Sequence, residues 1–153
     1  MNSVEMHIFY IKGDWMNIET YPQFHLYLLT LNIFMLKEDI LPENCDERCV
    51  NATIINRAYY SSYLFCLLWL KCVKKFKPKA PWEFKKDEHI TGEHKQVRNA
   101  LYDFGEEEIQ NELIDLAALR KKADYEPFAD ISQKEVNDAI NHMEEIFKHL
   151  KFE

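Results

Sequence analysis

Residues 50–76 read VNATIINRAYYSSYLFCLLWLKCVKKF, and this stretch decides the fold. It contains neither Gly nor Pro, so no residue in it breaks a helix. Val50, Ile54, Arg57, Ser61, Leu64 and Leu68 recur three or four positions apart, the spacing of one helical face. Ile55, Tyr59, Cys66, Trp69 and Val73 form a second stripe. A helix of this length spans roughly 40 Å at 1.5 Å per residue. Apolar residues on most of its sides place it at the centre of a bundle, or between the bundle and a second subunit. The sequence Lys77-Pro78-Lys79-Ala80-Pro81 ends it, and a loop runs on to Thr91-Gly92.

The flanking segments share the helical period. Residues 22–41 predict a helix, with Pro22 in the first turn, Phe24, Leu28, Leu31 and Met35 at helical spacing, and Pro42 closing it. Residues 42–48 read as an acidic connection. Residues 93–104 predict a short helix that turns Val97, Leu101 and Phe104 inward and is interrupted at Gly105. Glu106, Glu107 and Glu108 then oppose the dipole of a further helix, whose Ile109, Leu113, Leu116 and Ala117 face the core with Arg120 next on the stripe. A turn over residues 123–131 contains Pro127. Ser132-x-x-Glu135 is a capping box that opens the last helix, where Val136, Ala139, Ile140, Met143, Ile146, Phe147 and Leu150 keep the period. Only three Gly and five Pro occur in 153 residues, too few turn residues for a sandwich or barrel. The reading is an all-α, antiparallel bundle of four to five helices in one domain, residues 21–153. Residues 1–20 are an N-terminal extension, in which residues 7–11 resemble a short strand before the Lys12-Gly13-Asp14 turn.

The formal net charge of −7 disfavours a general nucleic-acid coating protein. The charge is uneven, however. Residues 71–98 hold nine basic and four acidic side chains, a local +5, which leaves −12 for the rest. This segment is either a solvated lysine-rich loop or an edge that holds a polyanion. The first residues include Glu5, Lys12 and Asp14 and form no secretory signal, which implies a cytoplasmic, reducing compartment. Cys66 and Cys72, six apart, fall on opposite helical faces, so they do not share a metal. The apolar runs at 24–36 and 58–70 are too short to cross a membrane. No H-E-x-x-H, phosphate loop or Ser/His/Asp order is found, and neither a metal nor a cofactor is implied. His142 and His149 fall on the polar side of the last helix and are expected to be solvated, while His25 and His89 lack ligand-spaced partners.

Two arginines sit on apolar stripes. Arg57 lies in Asn56-Arg57-Ala58-Tyr59-Tyr60 and Arg120 in Leu119-Arg120-Lys121-Lys122-Ala123-Asp124-Tyr125. A guanidinium among apolar neighbours is costly unless an anion or acceptor meets it. Two arrangements meet that need. One is an internal bridge from Arg57 or Arg120 to Asp124, with Tyr59, Tyr60 or Tyr125 completing the network; the other is a groove facing phosphate or RNA.

These residues resemble a known family. Arg57-Ala58-Tyr59-Tyr60 is similar to the R-A-Y-Y pattern of HEPN domains, and Gly92-Glu93-His94-Lys95-x-Val97 to the S-H-K-x-V/L segment opening their third helix. Arg120-x-x-Ala123-Asp124-Tyr125 is similar to the R-x-x-A-D-Y signature before their final helix. The three fall in family order over two-thirds of the chain. The resemblance implies a bundle that commonly forms a homodimer and serves prokaryotic defence or toxin–antitoxin systems, in some cases paired with a nucleotidyltransferase. It also implies RNA or nucleotide binding through Arg57, Lys95, Arg120, Lys121 and Lys122. Many members are metal-independent ribonucleases using R-x4-6-H, but none of the arginines Arg48, Arg57, Arg98 and Arg120 has a His five to seven positions later. Tyr125 stands where a His would follow Arg120, and with an ordinary pKa near 10 only about one tyrosine in a thousand is anionic at pH 7. If RNA is cleaved, Arg120, Tyr125 and His94 are the candidate catalytic residues. A non-enzymatic dimerisation or adaptor module is the alternative.

Overall fold

The computed structural model describes residues 22–40 and 46–152, so the expectations for residues 1–20 lie outside the described residues. Five α-helices follow one another: α1 (Pro22–Ile40), α2 (Glu47–Val73), α3 (Glu93–Asp103), α4 (Glu107–Tyr125) and α5 (Gln133–His149). One 3₁₀ turn, Pro81–Glu83, lies in the loop before α3, and no strand occurs among the described residues. The described residues form an all-helical bundle.

The central helix keeps its expected length of 27 residues but lies three positions toward the N-terminus. Asp46 explains the start, because its carboxylate accepts from the Arg48 N–H at 2.9 Å and caps the first turn. The end comes early because Lys75 takes a left-handed φ of 56°, while the Phe76 N–H turns back to the Leu70 carbonyl at 3.0 Å. α4 runs past the expected turn at 123 as far as Tyr125. Arg48 finishes it, with Nε donating to the Ala129 carbonyl at 2.9 Å and Nη2 to that of Glu126 at 2.8 Å.

Helix α2 packs against each of the other four α-helices, and α4 also packs on α3 and α5. Phe65 sits at the middle, fully buried, stacked on Phe147 of α5 at 4.0 Å and edge-on to Phe152 at 5.5 Å. Tyr27 of α1 stacks on the same Phe147 at 4.5 Å. The capping box forms as the sequence predicts, with the Ser132 and Glu135 side chains each bonding the other's backbone N–H.

Phe104, expected inward, is 41% exposed. The helix has already ended at Asp103, so the spacing from Leu101 no longer carries over, and the ring lies under Lys74 Nζ at 5.8 Å. Gly105 supplies the left-handed φ of 85° that closes α3 in a Schellman motif. There the Glu106 N–H reaches Leu101 O at 2.8 Å and the Gly105 N–H reaches Tyr102 O at 2.9 Å.

Candidate functional site

Three helices build a cleft of about 290 Å³, lined by Tyr59 of α2, His94 and Arg98 of α3, and Ala117, Arg120, Lys121 and Tyr125 of α4. This is the small end of the range for small-molecule sites, about 300–1,000 Å³. The local reasons are helical. His94 and Arg98 are four apart and share a face of α3; Ala117, Arg120, Lys121 and Tyr125 share a face of α4 on the same count.

A tyrosine cluster supports the cleft from behind. Tyr59 and Tyr63, four apart on α2, both stack on the His94 ring, at 5.7 and 4.0 Å between centroids, and Tyr60 meets it edge-on at 6.2 Å. The Tyr59 hydroxyl is 2.6 Å from His94 Nδ1, and the Tyr63 hydroxyl donates to Glu93. Burial first, then the Glu93 hydrogen bond, pushes the Tyr63 hydroxyl well above its ordinary pKa of 10, so it stays protonated. Burial also lowers the pKa of His94, helped by Arg120 and Arg98 and opposed by Glu93.

Arg120 is enclosed by aromatic rings. Its guanidinium carbon lies 5.6 Å from the Tyr59 ring centroid, 5.4 Å from Tyr60 and 5.3 Å from Tyr125, within cation–π range, and Nη2 donates to the Tyr60 hydroxyl at 3.2 Å. Nε sits 2.6 Å from Asp124 Oδ2. The N–H is not aimed at that oxygen, so the contact is a charge pair and not a well-formed hydrogen bond. Asn56 of α2 donates to both Asp124 oxygens at 3.1 and 3.2 Å, which ties the end of α4 to the central helix.

The structure therefore brings His94, Arg120 and Tyr125 to one cleft, with Lys121 beside them and Tyr59, Tyr60 and Asp124 as supports. It does not bring Arg57 there. Arg57 is exposed, a correction to its placement on an apolar stripe. The reason is that α2 is buried around most of its circumference, and the remaining solvent strip runs through Thr53, Arg57 and Lys71. The two expected guanidinium groups do not converge: Arg120 has its carboxylate inside the chain and Arg57 faces outward. Lys95 is also exposed and does not line the cleft. Lys122 is held by Glu135 of α5 at 2.6 Å.

Arg98 was missed as a site residue. Its signal was present in the four-residue spacing from His94. Arg98 and Lys121 have no carboxylate partner among the described residues, so they are the cations the cleft presents to a ligand, alongside the already paired Arg120. The histidines of α5 are not merely solvated: His142 is half-buried and 2.5 Å from Glu112 of α4, and His149 is 3.1 Å from Glu106. Part of the lysine-rich loop is tied to α3, where the Gln96 amide bonds both the N–H and the carbonyl of Lys79 at 2.7 and 2.9 Å. Among the described residues no cluster of His, Cys, Asp and Glu is placed to hold a metal ion, and no helix is long and apolar enough to cross a membrane. Set against known protein families, curated proteins and solved structures, the chain has no significant match.

Proposed function

We propose that this chain is a HEPN-like protein that binds RNA, or a nucleotide, by its phosphates at the cleft between α3 and α4. One observation carries the reading: two cations without a carboxylate partner among the described residues, Arg98 and Lys121, stand beside a 65% exposed Tyr125 in a single concavity. Cations neutralise phosphate, and an accessible aromatic ring offers a face on which a base stacks. Arg120 contributes its remaining positive field while Asp124 holds it in place. The HEPN resemblance adds a homodimer and a place in a prokaryotic defence or toxin–antitoxin system to the proposal.

The test is fluorescence anisotropy of a labelled single-stranded oligoribonucleotide over a salt series, with the wild type and the Arg98→Ala, Lys121→Ala double variant. Each phosphate contact to a single strand contributes about 0.7 to the slope of log affinity against log salt, so the double variant should lose roughly 1.4. Equal affinity and slope in the two proteins would overturn the reading. The adaptor alternative draws on the Arg120–Asp124 pair, an internal brace of the kind a scaffold uses. It gives no RNA binding at all, and a partner such as a nucleotidyltransferase engaged through the acidic faces.

A further inference from the structure

The tyrosine cluster bears on where the proton of the cleft histidine sits. Two arrangements satisfy the 2.6 Å separation of Tyr59 Oη and His94 Nδ1. Either the hydroxyl donates to Nδ1 and the ring proton is on Nε2, or Nδ1–H donates to the hydroxyl oxygen and Nε2 carries a lone pair. They differ in the fate of the hydroxyl proton. In the second arrangement the Tyr59 O–H needs another acceptor, yet its one hydrogen-bond partner among the described residues is His94. Tyr59 is only 3% exposed, so water does not readily replace the missing acceptor. Leaving a buried donor unmet disfavours that arrangement by about five- to thirtyfold. The first arrangement satisfies both groups.

We infer that Tyr59 is a positioning residue that holds His94 as its Nε2–H tautomer, so that His94 meets an anion in the cleft as a neutral hydrogen-bond donor and not as a general base. Its ligand rests on the cleft reading above; the tautomer does not. The groups facing His94 are Tyr59, Tyr60 and Tyr63 of α2, Glu93 and Arg98 of α3, and Arg120 of α4. Tyr63 does not compete for Nδ1, because its hydroxyl is committed to Glu93. Glu93 favours the charged ring, but burial and the two arginines outweigh it and keep the ring neutral at neutral pH. His94 Nε2 has no protein partner among the described residues, and the residue lines the cleft. With its proton there, that nitrogen has no lone pair with which to take a proton from a ribose hydroxyl. In this tautomer His94 does not serve as the base of an RNA cleavage.

The experiment uses the full-length, ¹⁵N-labelled protein without ligand, in a long-range ¹H–¹⁵N spectrum near neutral pH, with His94 assigned by its loss in His94→Gln. We expect an unprotonated Nδ1, a protonated Nε2 in five- to thirtyfold excess, and a Tyr59 hydroxyl proton protected enough to couple to Nδ1. In Tyr59→Phe the excess should fall toward the mixture of an unconstrained imidazole. A proton on Nδ1 in the wild type overturns the inference, as does an unchanged tautomer ratio in a folded Tyr59→Phe. If that variant does not fold, the wild-type spectrum decides alone. Inorganic phosphate is then titrated in. A shifted Nε2–H signal supports both readings. A silent one, with the tautomer as expected, overturns phosphate binding at the cleft and leaves the role of Tyr59 standing.

Discussion

Asp124→Asn separates bracing from binding, because it should move stability and affinity in opposite directions. The side chains of Arg120 and Asp124 are 23% and 24% exposed, and their 2.6 Å contact is a charge pair with poor hydrogen-bond aim. Pairs this accessible contribute about 0.2–1 kcal/mol, so the variant should lose no more than about 1 kcal/mol in stability. Asparagine keeps an oxygen for the Asn56 amide, which limits the damage. Binding should improve. A phosphate about 8 Å from the Asp124 carboxylate would be repelled by it. With an effective dielectric between about 20 and 80 and a Debye length of roughly 10 Å at 0.1 M salt, that repulsion is about 0.3–1 kcal/mol. Removing it tightens binding by roughly two- to fivefold at 0.1 M salt, and by more at lower salt. Thermal denaturation and oligoribonucleotide anisotropy on the same preparation measure the two effects. Lower stability with unchanged or weaker affinity would refute the reasoning, since the anion would then not be sitting within reach of this carboxylate.

Other predictions concern the scaffold. Gly105→Ala forces a Cβ onto a φ of 85° and should cost about 1–2 kcal/mol, read as a fall of several degrees in melting temperature, although no atom crowds the new methyl. Ser132→Ala removes one half of the capping box and should cost about 1 kcal/mol by denaturant titration. Glu135 has a lowered pKa, from the Lys122 hydrogen bond first and the Ser132 N–H next. A depressed carboxyl pKa contributes stability above the unfolded value of about 4.5, and that stability is lost as pH falls through the folded value. Glu135→Gln should therefore be less stable than the wild type at pH 7, with the gap closing in acid. Burial pushes the Cys66 thiol far up, so a thiol reagent should label it only after denaturation, whereas the half-buried Cys72 should react in the native protein.

Much of the helical layout can be read along the chain. Pro22 opens α1, Ser132 and Glu135 open α5, and Gly105 separates α3 from α4, because each of these is a short-range backbone effect. The ends of α2 were displaced because Asp46 is a stronger start signal than the apolar spacing, and Lys75 leaves the helix without a Gly or Pro to announce it. The site was legible only in part. His94, Arg120 and Tyr125 do share a cleft, and Arg98 was recoverable from its spacing to His94. Arg57 was misplaced because stripe-counting fails on a helix buried nearly all round: when apolar residues occupy most of the circumference, no period points to the one strip left bare.

Local chemistry in the chain was enough to lay out the helices, the capping box of α5 and the Gly105 stop after α3, since a helix answers to residues within a turn or so of each position. Which guanidinium is braced and which faces water, and which hydroxyl meets the histidine, depended on packing among α2, α3 and α4. Arg120 meets Tyr60 across 60 positions and Tyr59 meets His94 across 35, and contacts over such separations follow from how whole faces fit together and not from any spacing within one helix.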